Sequence, residues 1–152
     1  MTSIQGPRVS LAADVSRAKR ALARVGKVFD GTKLAAAVGN SQVAWIDDNF
    51  RRQGKIKPWE KLKAATIARK GSDRILIDKN RLRGSFEVPR VTRTEVRIGP
   101  GTNVKYAAAH QFGYPKRNIP ARPILPPLDV AQKDAQRLVQ NMIDAAVTGG
   151  AF

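Results

Sequence analysis

The apolar residues of this chain recur at helical steps near both ends and at a period of two between them. The stripe Leu11, Val15, Ala18, Leu22, Val25, Phe29 advances by 4, 3, 4, 3, 4, and the stripe Leu128, Ala131, Ala135, Leu138, Met142, Ala145 advances by 3, 4, 3, 4, 3. Such steps line up on one face of a helix. In Phe86-Glu87-Val88 and Glu95-Val96-Arg97-Ile98, apolar and charged residues alternate, with Thr92-Arg93-Thr94 between them. That alternation predicts an antiparallel hairpin with one buried and one basic face. Helices grouped beside such a hairpin make an α+β fold: a small antiparallel β-sheet packed with long N-terminal and C-terminal helices.

Local signals divide the chain further. Asp30-Gly31 ends the first helix, and Thr32 is placed to cap a second whose face carries Leu34, Val38, Trp45, Ile46 and Phe50. Gly54 stops that helix, and Pro58 opens a short third one with Trp59, Leu62, Ala65 and Thr66 inside. Asp78-Lys79-Asn80 reads as a turn, Pro89 puts the first strand at an edge or a bulge, and Gly99-Pro100-Gly101 closes the second. Tyr106 to Phe112 is a helical turn ended by Gly113, and the prolines from Ile119 to Pro127 stiffen the connector to a last helix running to Gly149-Gly150. Residues 1–152 are expected to form one domain, with a helical pair over 11–53, a sheet region over 54–127 and a C-terminal helix over 128–148.

The chain has 152 residues, no cysteine and a single histidine, His110, which excludes Cys/His zinc sites, iron–sulfur clusters, thiol catalysis and a disulfide framework. Its N-terminal segment lacks the apolar run of a signal peptide. No uncharged stretch approaches the roughly 20 residues of a membrane span, so the expected setting is cytoplasmic, without membrane contact.

No catalytic constellation assembles. His110 could be drawn together with Ser72, Ser85 or Asp78, but no G-x-S-x-G sequence is present, and a histidine beside Tyr106 and Phe112 reads as structural. Asp47 and Asp48 point in different directions on a helix and read as a solvated face, not a cation site. There is neither a phosphate-binding loop nor a G-x-G-x-x-G sequence. No catalytic residue, cofactor or metal is expected.

Charge is the remaining signal. Lys and Arg number 28 against 12 Asp and Glu, a formal +16, and 14 of the cations fall between residues 55 and 105 against 5 acidic groups. Arg17, Arg20 and Arg24 recur along the first helix, and Lys79, Arg81, Arg83, Arg93 and Arg97 crowd the hairpin region. If clustered, these residues would neutralise phosphate through contacts that weaken steeply with salt. No aromatic is interleaved with them as base stacking requires.

Residues 54 to 125 carry a set of blocks: Pro58-Trp59-Glu60-Lys61-Leu62; Ile75-Leu76-Ile77-Asp78 with Leu82 and Ser85; and Val96-Arg97-Ile98-Gly99. Tyr106-Ala107-Ala108-Ala109-His110-Gln111-Phe112-Gly113 and Ile119-Pro120-Ala121-Arg122-Pro123-Ile124-Leu125 complete it and are the most specific. This set resembles the phage virion morphogenesis proteins, the Mu gpG-like group of tail completion proteins. One departure is Asn80, where the family pattern usually has Gly; Asn tolerates the same left-handed turn.

The resemblance implies a structural virion protein at the head–tail junction, present in the host cytoplasm during assembly. It would be a tail completion or terminator subunit that closes with copies of itself into a ring, commonly a hexamer. The tail tube protein and head–tail connector proteins would be its partners, with non-specific contact to packaged DNA through the basic residues named above. A head-completion protein and a free, sequence-independent nucleic-acid-binding module are the alternatives. Within the motif, Trp59 and Leu62 are expected in the core. Tyr106, His110, Gln111, Phe112 and Gly113 are read as a structural corner or an interface. Arg122, held between Pro120 and Pro123, is expected to meet a carboxylate within or between subunits. The segments Lys70 to Arg74 and Gly99 to Lys105 are expected to be mobile loops that dock on neighbours.

Overall fold

The computed structural model describes residues 30–148, with Ala23 and Gly26 before them. Ala23 and Gly26 are helical and exposed; the rest of the helix expected over 11–29, with Arg17, Arg20 and Arg24, lies outside the described residues. Four helices and one hairpin follow: α1 (Gly31–Arg52), α2 (Ala64–Lys70), β1 (Phe86–Val91), β2 (Val96–Pro100), α3 (Ala107–Phe112) and α4 (Leu128–Thr148). Single 3-10 turns at Arg83–Ser85 and Pro115–Arg117 interrupt the connections. The architecture is α+β, as expected.

The centre of the fold is α1. Its cap is Asp30, not Thr32: the Asp30 carboxylate accepts from the Thr32 backbone N–H at 2.9 Å, pairing one of the N–H groups a helix start leaves free. Its buried face carries Gly39, Gln42, Ile46, Asn49 and Phe50. Ile46 and Phe50 were expected there; Trp45 packs against the core half-buried, Leu34 and Val38 are half-buried, and two unexpected amides, Gln42 and Asn49, join the buried face. The helix ends at Gln53, which is left-handed at φ 57° and accepts from the Trp59 N–H, and Gly54 follows at φ +110°. A Cβ at Gly54 would lie 2.2 Å from the Lys57 carbonyl oxygen, so only glycine fits this corner.

The hairpin lies across α1. Its strands pair antiparallel from Phe86 opposite Pro100 to Val91 opposite Val96, with a bulge between Glu87 and Arg90 where Pro89 withholds a ladder donor. Gly39 admits the hairpin: a Cβ there would meet Val96 Cγ2 at 2.8 Å and Val88 Cγ1 at 2.9 Å. β2 ends at Pro100, the last pair of the ladder, so Gly99-Pro100-Gly101 closes the strand as expected.

Three further expectations are corrected. The third helix begins at Ala64, not Pro58, and Trp59 stands before it in an extended stretch. The bond from Trp59 N–H to Gln53 O, 2.8 Å, fixes that stretch to the end of α1 instead of letting it coil. Leu128, the first residue of the C-terminal stripe, is 74% exposed; α4 buries Met142 and Ala146. Val104, in the loop expected to be free after Gly99, is buried in the core, and the Gly101 N–H is held by the Ser85 carbonyl at 2.8 Å.

The core gathers Ile46, Phe50, Trp59, Ile75, Leu82, Phe86, Val104, Ala107 and Ile124. Phe50 is fully buried, with Trp59 edge-on at 5.4 Å between ring centroids and Phe86 tilted at 6.2 Å. Asn80 is left-handed at φ 58°, as its turn requires.

Candidate functional site

The two motif blocks of the 106–125 segment fold against each other and are strapped onto the C-terminal half of α1. Gly113 is left-handed at φ +78°, and a Cβ there would sit 3.0 Å from Ala121 N and 3.2 Å from Ile119 O. The chain therefore doubles back, pairing Tyr114 with Ile119 through two backbone bonds of 2.8 and 3.1 Å. The Arg122 N–H then donates to His110 O at 2.7 Å, and Gln111 Oε1 accepts from Ile124 N and Leu125 N at 2.6 and 3.0 Å.

Three side chains tie this returning segment down. Asn49 Nδ2 donates to Pro123 O and Ile124 O, each at 3.0 Å, and Trp59 Nε1 donates to Pro123 O at 3.1 Å. Arg122 is buried and directs Nε and Nη2 to one backbone oxygen, Glu60 O, at 3.1 and 3.0 Å. Within the chain its partner is thus a carbonyl, and among the described residues no carboxylate pairs with it. An sp² carbonyl oxygen with two lone pairs accepts both prongs of the fork. Burial pulls the guanidinium below its ordinary pKa, with the Glu60 charge opposing; an arginine remains cationic throughout the physiological range.

Behind the strap opens a cavity of about 1110 Å³. It brings together seven of the residues singled out from the sequence: Leu62, Lys79, Arg81, Tyr106, His110, Pro120 and Arg122. Lys63, Arg69 and Arg117, which sequence reasoning passed over, line the same space with Lys61 and Lys70. Four of these five lie between residues 61 and 70, and the return of the strap brings Arg117 beside them. Glu60 and Asp78 are the acidic members of the lining. Burial lowers the pKa of Lys70, with Asp78 and Asp73 opposing. Burial and the Arg122 charge likewise lower that of His110, whose Nδ1 is enclosed without a hydrogen-bond partner among the described residues. Tyr106 stands edge-on to the His110 ring at 6.0 Å.

The remaining candidates lie elsewhere. Trp59 and Pro123 line a second, more apolar hollow of about 590 Å³ with Trp45, Ile56 and Leu125. Gln111 and Gly113 act within the strap. Phe112 is 77% exposed, so its ring does not pack in the corner expected for it. Arg83 is held by Asp47 at 2.6 Å; the hydrogen bond lowers the Asp47 pKa and raises that of Arg83. Arg51 also reaches Asp47, while Arg52 and Lys55 pair with Asp48, so this acidic pair is met by cations of its own chain. Arg97 pairs with Glu95 on the exposed hairpin, and Arg93 is exposed at its turn.

Among the described residues no three His, Asp or Glu side chains gather as metal ligands, and no helix is long and apolar enough to cross a membrane. The family model described as phage virion morphogenesis family matches residues 13–148. An uncharacterized protein of Methanocaldococcus jannaschii is 30% identical over 119 residues, covering 73% of this chain and 88% of that protein. No solved structure matches.

Proposed function

This chain belongs to the phage virion morphogenesis family, and on that premise we propose that it is a tail completion, or terminator, subunit that closes into a ring at the head–tail junction of the virion. It acts by docking, not by catalysis. The observation that carries this reading is the family match over nearly the whole chain, and the use made of the motif blocks supports it. Trp59, Gln111 and Arg122 spend their polar groups on backbone carbonyls and amides, as a scaffold requires, and Phe112, the most exposed aromatic of the blocks, suits an apolar contact with a neighbour.

A heterologous contact repeated by rotation closes a ring, here proposed as a hexamer, and turns the same face of each copy toward the axis. The tail tube protein and the head–tail connector proteins are the proposed neighbours on either side. Contact with packaged DNA falls to exposed Arg93, since Arg83 is occupied by Asp47, Arg97 pairs with Glu95, and both Lys79 and Arg81 open into the cavity.

Ablating the gene in its phage and imaging the particles tests the reading. DNA-filled heads beside unattached tails of irregular length are expected. Emptied heads beside normal tails would move the protein to the head side as a completion protein. Normally joined, infectious particles would sink both.

A further inference from the structure

We propose that the 1110 Å³ cavity behind the strap is a docking site for an acidic, partly apolar peptide segment of a neighbouring protein chain. Six exposed cations stand around it: Lys61, Lys63 and Arg69 from the α2 side, Lys79 and Arg81 from the turn before the hairpin, and Arg117 from the motif return. Among the described residues, none of the six has a carboxylate within 4.0 Å, although the chain pairs cations readily at Asp47, Asp48 and Glu95. Cations gathered round a concavity repel one another, and the low-dielectric walls focus their field into it. A negatively charged occupant relieves that repulsion.

The rest of the lining decides which anion. Leu62, Leu76, Leu82 and Ile119 contribute apolar surface between the cations. A phosphate backbone would leave this surface uncovered, whereas an extended peptide with alternating acidic and apolar residues sends one kind of side chain to each wall. Glu60 and Asp78 would repel charges set continuously along the lining, as phosphates are, whereas a peptide that spaces its acidic residues can turn backbone N–H groups toward them. Tyr106 is the sole tyrosine, tryptophan or phenylalanine in the lining, too few rings for a stacked single strand. A volume of this size takes a few residues of extended chain, while a duplex spreads along an open surface.

This inference rests on the assembly-subunit reading only for the source of the peptide, a neighbouring virion protein. Fluorescence anisotropy on the full chain at about 150 mM salt tests it, where charges apart by more than a Debye length of about 8 Å are screened. The probes are a labelled octapeptide of alternating Asp and Leu, its Asn–Leu counterpart, an all-Asp peptide, and single-stranded and duplex oligonucleotides. The Asp–Leu peptide should bind best, and Arg69→Glu/Arg81→Glu should weaken it at least about tenfold. The same charge change at exposed positions away from the cavity, Lys33→Glu/Arg90→Glu, should weaken it less than about threefold. Equal losses from the two double variants would overturn the proposal in favour of general charge attraction. Tighter binding of either oligonucleotide, lost on Arg69→Glu/Arg81→Glu, would make the cavity a nucleic-acid site instead. Because binding is read on the isolated chain, normal particles after gene ablation would remove the head–tail reading and leave the cavity standing, and absent peptide binding would do the reverse.

Discussion

The C-terminal helix and the irregular strap stand in reverse order of regularity and burial. Over 21 residues α4 follows a helical stripe with few departures, yet it buries only Met142 and Ala146. The strap and the connections before it have hardly any repeating structure, yet they supply Trp59, Ile75, Leu82, Val104, Arg122 and Ile124 to the interior. A regular helix pairs its own backbone groups and needs little from its surroundings. An irregular segment can enter a core only where side chains pair its carbonyls and amides one by one, as Asn49, Trp59, Gln111 and Arg122 do here. The polar residues of the inner face are therefore what permits the apolar ones beside them.

The sharpest way to break this contrast uses two aliphatic residues four positions apart. Ile124 is 1% exposed and Leu128 is 74% exposed. Ile124→Ala should cost about 3 kcal/mol in urea unfolding, and Leu128→Ala less than about 0.5 kcal/mol. Similar losses at both would mean that α4 is buried in a way the isolated chain does not show. Next in size is Asn49→Ala, which strips the Pro123 and Ile124 carbonyls of a donor and the Lys55 N–H of its acceptor at 2.6 Å. A loss of about 2–3 kcal/mol is expected, with faster hydrogen exchange confined at first to residues 119–125. Gly113→Ala must hold φ near +78° against Ala121, and a melting experiment should register about 1–2 kcal/mol.

The smallest effect is a pH dependence. The folded pKa of His110 lies below its ordinary 6.5, first from burial and then from the Arg122 charge. Above 6.5 neither the folded nor the unfolded chain binds a proton there. As pH falls through 6.5, the unfolded chain takes one up before the folded chain does, so stability declines until the folded pKa is passed. The denaturation midpoint should drop between pH 7 and pH 5, and His110→Phe should flatten that drop. An unchanged slope in the variant would assign the drop to other groups.

These same contrasts explain what could be read before the fold was known. The α4 stripe, the hairpin with its bulge at Pro89 and the left-handed Asn80 follow from local rules, because period and turn chemistry act over a few residues. The inner face of α1 did not follow: Gln42 and Asn49 look like surface residues until a distant segment brings them partners, Asp134 for Gln42 at 2.9 Å and the strap for Asn49. Pro58 misled for a related reason. A proline suits the first turn of a helix, but the Trp59 N–H was already committed to Gln53 O. The cavity was half legible. Lys79, Arg81, Tyr106, His110 and Arg122 each drew notice singly, but nothing local says that Lys61, Arg69 and Arg117 share their space.

Gly39 carries a consequence for how the sequence can drift. In the middle of α1 a glycine forgoes about 1 kcal/mol relative to alanine, and the chain retains it where Val88 and Val96 come too close for any Cβ. Three positions on separate elements are thereby tied into one choice of volume. A relative with alanine or serine at this place must carry a smaller side chain at one of the two valines or seat its hairpin farther out. Substitutions at positions 39, 88 and 96 are therefore expected to co-vary among relatives, while the α4 surface a short distance away is free to change residue by residue.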